Sequence, residues 1–354
     1  MKKNPNIELI IIVLLVISIV TIYFDYHYDL GIFFKRHNSI KIKDDKNAKD
    51  LDRYIFNTDS IPREAIYLEN PDFYIDRFEK ILNKWDNKYR HKLENLVDIY
   101  QQYFRNEDLI RLSQKKSKDS IELIKRERNK IIVNTNIREL ADLPDVDFNQ
   151  FFEVLDHIQI ENDYVLDYVY YYDGLSGIPL LYSRKYNDQP YYNISRLPNW
   201  ERHLIQYHIQ ESLERSFIQS VKLDQTPLSY FQLAVLSLYC DHFFRYGPSS
   251  YRDEIILTNN RGLEQILESQ AMRIKSLLDS SFADQIFEIK NEMMNHNFDP
   301  YIVMKDDIVQ IVFYYFTNWG GVYRVNWVVS RYYPHKEISF SKQNIITYES
   351  GIAF

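Results

Sequence analysis

The segments Ile308–Thr317 (IVQIVFYYFT) and Val322–Tyr333 (VYRVNWVVSRYY), joined through Asn318-Trp319-Gly320-Gly321, decide the class of fold. Each is rich in β-branched and aromatic residues, and a glycine-bearing connection between two such runs is a strong hairpin signal. Side chains alternate faces along a strand, so Tyr323, Val325, Trp327 and Val329 share one face while Arg324, Asn326 and Ser330 share the other. The first strand is apolar on both faces, as expected of a central strand covered from above and below. Short strands near 336–341 and 344–349 would complete an antiparallel meander.

Upstream of the hairpin the periodicity changes. Leu263, Ile266, Leu267, Ile274, Leu277 and Leu278 recur at helical spacing. Residues 228–246 are apolar nearly all round, but their longest uncharged run is too short and too polar for a membrane span, so they read as a buried core helix. Thr226-Pro227 supplies its start, an N-cap followed by proline at the first helical position. Another helix is expected near 199–219. Strands at 163–172 (DYVLDYVYYY) and 178–184 (IPLLYSR) flank the turn Asp173-Gly174-Leu175-Ser176-Gly177. Asp147 and Gln150 have capping-box spacing ahead of Phe151, Phe152 and Leu155.

The N-terminal half is helical. Ile75, Phe78, Leu82, Trp85, Tyr89, Leu93, Leu96, Tyr100 and Tyr103 form one stripe, predicting a helix over 72–105 about 50 Å long. A more charged stretch at 107–130, with Leu109, Leu112, Ile121, Ile124 and Ile131, predicts its partner in a long helical hairpin. Residues 41–53 (KIKDDKNAKDLDR) lack an apolar face and read as a solvated tether. Leu9–Phe24 (LIIIVLLVISIVTIYF) carries no charge and, with Ile7 and Glu8, is long enough to enter a bilayer as an anchor. No small-residue cleavage site follows it, the first alanine being Ala48, so it reads as an uncleaved signal-anchor. Lys2 and Lys3 favour a cytoplasmic N-terminus and an extracytoplasmic body. The expected organisation is therefore α+β: tail and transmembrane anchor at 1–24, juxtamembrane linker at 25–62, a helical region at 63–158, and an α+β domain with a C-terminal antiparallel sheet at 159–354.

Composition narrows function by exclusion. A net charge of −7 argues against a protein that coats nucleic acid. Eight glycines in 354 residues disfavour glycine-rich phosphate loops. One cysteine, Cys240, rules out an intrachain disulfide and any cysteine-rich zinc site.

Motif-like clusters dissolve on geometric grounds. His203 and His208 are five apart and diverge by roughly 140° on a helix, so they cannot share a metal there. His208 and Glu211 could, but would need ligands from elsewhere. Cys240 and His242 point about 200° apart on a helix and cannot form a dyad with each other. Ser176 lies in a strand-turn-strand context unlike a nucleophile elbow. Asp145, Asp147 and Asn149 begin like a calcium loop but lack its glycine and closing glutamate. The basic run Arg111, Lys115, Lys116, Lys118, Lys125, Arg126, Arg128 and Lys130 is interrupted by Asp119, Glu122 and Glu127, as on a solvated helix face that could also meet anionic headgroups.

Tyrosines offer the remaining clue. Tyr168, Tyr170, Tyr171, Tyr172, Tyr182, Tyr186, Tyr191 and Tyr192 crowd one hairpin and its exit, and tyrosine is favoured at interfaces. Tyr170, Tyr172, Tyr182 and Tyr192 are the candidate ligand-binding residues. The expected function is a membrane-anchored, non-enzymatic interaction module of a cell envelope, held in the bilayer by residues 7–24 and binding a protein or polymer, with no metal and no cofactor. The alternative is an anchored hydrolase whose catalytic residues are dispersed, with Arg245, His242, His208, Glu211 and Asp173 the first to check.

Overall fold

Proline at the first helical position, an acidic first turn and an apolar stripe start the first helix among the described residues. The computed structural model describes residues 61–103, 118–200, 212–247, 254–275, 288–318 and 320–347, and Pro62–Gly351 form one compact unit. In chain order, β1 (Ile66–Tyr67) precedes helices α1 (Pro71–Glu94), α2 (Leu96–Tyr103), α3 (Lys118–Asn134), α4 (Ile137–Leu140) and α5 (Asn149–Val154). Strands β2 (Ile158–Ile160), β3 (Tyr164–Tyr172), β4 (Gly177–Lys185) and β5 (Val221–Leu223) follow, then helix α6 (Pro227–Tyr239). The chain continues through β6 (Ile255–Leu257), α7 (Asn260–Lys275), β7 (Tyr301–Met304), β8 (Ile308–Thr317), β9 (Gly321–Ser330) and β10 (Glu337–Ile346).

The architecture is α+β, mixed helix and antiparallel sheet with a C-terminal meander. Its largest sheet runs β1-β7-β8-β9-β10, with β6 pairing β8 alongside β7. β8 and β9 stay in register from Ile308↔Ser330 to Thr317↔Gly321, and Gly321 takes φ 95°, which glycine adopts without steric cost. Val309, Ile311, Phe313, Val325, Trp327 and Val329 face the main core, which they share with α1 and α6. The opposite face, through Tyr314, Phe316 and Val322, packs on Leu263 and Leu267 of α7 and on Met293 and Phe298. Both faces are thus covered, which is why β8 is apolar apart from the buried Gln310 and the terminal Thr317. Two two-stranded sheets, β2-β5 and β3-β4, complete the fold.

Several expected elements take a different form. The 72–105 helix is interrupted at Asn95, whose N–H turns back to the Leu93 carbonyl; Leu93 and Leu96 are buried on either side of the break. The second helix of the expected hairpin is described only from Lys118 and continues past 130 to Asn134. No reciprocal capping box forms at Asp147: its Oδ1 accepts the Asn149 N–H at 3.1 Å, and the helix is only six residues long. The helix expected over 199–219 is absent from 212 onward. There the N–H groups of Leu213 and Glu214 donate to the Glu337 carboxylate, which takes them out of any helical ladder. The core helix ends at Tyr239 instead of running to 246, and the two short C-terminal strands are one strand, β10, with register shifts at 337/339 and 344/346 absorbing the broken alternation.

The segments expected to be an anchor (7–24) and a tether (41–53), His203, His208, Glu211 and the basic residues up to 117 lie outside the described residues. Among the described residues, no helix is long and apolar enough to cross a membrane.

Candidate functional site

Where α6 ends, the chain changes from apolar to ionisable within three residues. Thr226 caps the start of this helix by accepting the Ser229 N–H at 3.2 Å, and Tyr230 through Tyr239 are all buried. Cys240, Asp241, His242 and Arg245 follow directly. The last three meet Arg215 from the segment after 212 and Glu254 just before β6, around a crevice also lined by Ser212, Tyr315 and Phe340.

The charges in this knot are matched. Arg245 donates to Asp241 Oδ1 at 2.8 Å and lies 3.6 Å from Glu254 Oε2. Arg215 lies 3.7 Å from Asp241 Oδ2 and donates through Nε to the Ser237 carbonyl at 3.1 Å. His242 Nε2 stands 3.3 Å from Glu254 Oε2, and its ring packs 4.8 Å from that of Tyr239. Burial alone would raise Asp241, but the Arg245 and Arg215 guanidinia hold it below the usual carboxylate range. Burial opposes ionisation of Glu254 as well, yet the His242 imidazole beside it and the charge of Arg245 keep it well below that range. Burial and the neighbouring Arg245 push His242 down, so at neutral pH it is uncharged. Two guanidinia therefore face two carboxylates, and the cluster is neutral.

Its chemical capacity follows from that balance. The Cys240 thiol is buried and pushed up to about 12 by desolvation, far from the thiolate a nucleophile requires. Each arginine is engaged by a carboxylate, so neither presents a bare cation. The His242–Glu254 contact is the one arrangement here with acid–base character, since a carboxylate can orient an imidazole as a general base. No group of three or more His, Cys, Asp or Glu side chains able to hold a metal occurs among the described residues.

The residues singled out from sequence scatter. Arg245 and His242 do converge, joined by Arg215, Asp241 and Glu254. Asp173 sits apart in the β3–β4 turn, where its Oδ1 accepts the N–H groups of Leu175 and Ser176 at 2.8 and 2.7 Å. Asp145 pairs with Arg138, which also donates to Asp167 at 2.8 Å. Arg128, from the basic run, donates to the Tyr100 hydroxyl at 2.6 Å and to the Asp173 carbonyl at 2.7 Å, tying α2 and α3 to the hairpin turn.

The four candidate tyrosines do not share a surface. Tyr170, Tyr172 and Tyr182 are buried, and only Tyr192, 57% exposed, faces solvent. Tyr170 donates to the Phe244 carbonyl at 2.7 Å and Tyr172 to the Gly174 carbonyl at 3.1 Å. Tyr182 accepts the Tyr191 N–H at 2.8 Å, which fixes the exit loop that displays Tyr192. Tyr186, 73% exposed, stands at the start of the same loop. The accessible aromatic surface of this region is therefore the 186–192 loop, and the hairpin beneath supports it. Tyr182 falls within the strand expected at 178–184 and Tyr192 beyond it, a difference of position that bore on their exposure. Arg215 and Glu254 were unreadable, since their roles depend on two loops meeting in space.

The sequence matches no family model, and comparison with curated proteins and with solved structures finds no match.

Proposed function

We propose that the chain is a membrane-anchored, non-enzymatic binding module of a cell envelope. Residues 7–24 would hold it in the bilayer with the N-terminus cytoplasmic, the long helices would stand near the membrane, and the α+β body would bind a protein or polymer outside. The observation that carries the binding half is the contrast between a neutralised interior and an aromatic exterior. The ionisable groups at the end of α6 consume their charges internally, whereas Tyr186 and Tyr192 project from a loop braced by the buried Tyr182 hydroxyl. Rigid tyrosines offer large contact area at low entropic cost.

The test is chemical crosslinking in cells expressing the tagged, full-length chain, with membrane fractionation of the same cultures. A single stoichiometric partner recovered from the membrane fraction supports the reading. A chain that stays in the soluble fraction, or crosslinks only to itself, contradicts it.

One observation favours a second reading, an anchored hydrolase: His242, Glu254 and Arg245 line one crevice. In that case His242→Gln should abolish turnover of ester or amide substrates while leaving the unfolding free energy from urea denaturation within about 1 kcal/mol of wild type.

A further inference from the structure

The first helix carries a surface that neither the core nor the ionic knot uses. The apolar stripe of α1, through Ile75, Phe78, Leu82 and Trp85, is buried. On the side turned away from it, Arg77, Lys80, Lys84, Lys88 and His91 are all exposed. At about 100° per residue these five fall within an arc of about 80°, and the ridge they form runs about 21 Å along the axis. No carboxylate of α1 enters that arc. Asp76 and Glu94 lie about 40° to one side of it. Asp72 is engaged by Thr258 and Asn259, while Glu79 and Asp86 reach Tyr239 and Phe244. Lys80 and Lys84 take part in no ion pair among the described residues. Phe73, 51% exposed, stands on the same line one turn before Arg77, whose guanidinium lies 5.0 Å over its ring. The whole chain carries −7, so the ridge is a local reversal of sign.

We propose that this outer face of α1 is a docking surface for an anionic bilayer, the membrane into which residues 7–24 would insert, and in that respect it rests on the anchoring reading above. The ridge is straight and convex, which suits a plane of headgroup charge better than the contour of a folded partner. An exposed ring with a guanidinium stacked on it suits the boundary where headgroups meet acyl chains. Among the described residues, α1 is also the first helix to follow the segment 7–24. Each basic side chain held near an anionic surface favours the docked state about fivefold. The acidic remainder of the chain is repelled by the same surface, so the sign of the charge selects which side of the body turns to the membrane.

The test uses the full chain with a fluorophore on Asn87→Cys, beside the ridge, since the native Cys240 is buried. Energy transfer to headgroup-labelled lipid is read in vesicles of phosphatidylcholine alone and of equimolar phosphatidylcholine and phosphatidylglycerol. Flotation of the same samples reads anchoring separately. Transfer should be high only with phosphatidylglycerol and should collapse in about 1 M salt, where the Debye length is about 3 Å. In a Lys80→Gln, Lys84→Gln double variant the docked-to-free ratio should fall about thirtyfold, with flotation and the unfolding midpoint unchanged. A chain that floats but transfers equally in both lipids, or keeps its transfer in the double variant, overturns the proposal and leaves anchoring standing. A chain that floats with neither vesicle overturns both. A label that responds to soluble polyglutamate and not to phosphatidylglycerol assigns the ridge to an acidic polypeptide and overturns the proposal as well.

Discussion

Two hairpins of similar chemistry are stabilised in different ways. β8–β9 lies inside the large sheet, with neighbours on both edges and apolar layers on both faces. β3–β4 is a sheet of only two strands, a form with little stability of its own in water. What the second lacks in strand neighbours it replaces with polar anchors. Tyr168 donates to the Pro144 carbonyl at 2.7 Å, Tyr170 to Phe244, and Tyr172 to Gly174. Asp167, only 7% exposed, is clasped by Arg138 and Arg184 at 2.8 and 3.0 Å. Tyrosine suits this role because its ring fills a core while its hydroxyl satisfies a loop carbonyl that would otherwise be buried unpaired. Abundant tyrosine therefore signals a lone hairpin being built into a domain as readily as it signals a ligand.

The two modes predict different sensitivities. Trp327→Ala should cost the most, about 3–5 kcal/mol, because it empties a fully buried site in the central sheet. It also frees Glu337 from the indole N–H that donates to it at 2.8 Å, and urea denaturation would measure the combined loss. Arg184→Ala, in the lone hairpin, should cost about 1.5–3 kcal/mol, since Asp167 keeps Arg138 as its remaining cation. Thermal unfolding with and without 1 M salt would check it, and a loss below 0.5 kcal/mol would mean that the clasp behaves like an ordinary surface pair. Tyr170→Phe keeps the ring and strands the Phe244 carbonyl, for about 1–2 kcal/mol. The smallest effect belongs to neither hairpin: Thr226→Ala should cost about 1 kcal/mol through loss of the α6 cap. If Tyr170→Phe costs less than Thr226→Ala in the same denaturation assay, the hydroxyl anchors are not what stabilises β3–β4.

What could be read from sequence divides along the same line. The β8–β9 hairpin, the β3–β4 pair with its Asp173–Gly177 turn and the α6 cap are local patterns, and each appears within a few residues of its expected bounds; of the α7 stripe, Leu263, Ile266 and Leu267 pack as expected, while Leu277 and Leu278 lie outside the described residues. Where expectation and structure part, a long-range contact has intervened. Glu337 reaches across more than a hundred positions to hold Ser212–Glu214 out of a helix. Asp86 does the same to the end of α6, bonding Phe244 from 158 residues away. The site followed this rule too. His242 and Arg245 were visible because they are neighbours in sequence, while Arg215 and Glu254 join them only through the fold. The direction in which each tyrosine points was hidden because Tyr170 and Tyr172 sit on the face of β3 that another layer covers.

The most direct test sets the exposed loop against the buried knot in one in-cell crosslinking experiment. The full-length chain would be compared with a Tyr186→Ser, Tyr192→Ser double variant and with His242→Gln, each at matched abundance in the membrane fraction. A binding module predicts that the partner adduct is lost in the tyrosine variant and retained in His242→Gln. Retention in the tyrosine variant with loss in His242→Gln would contradict the account and point to the crevice instead.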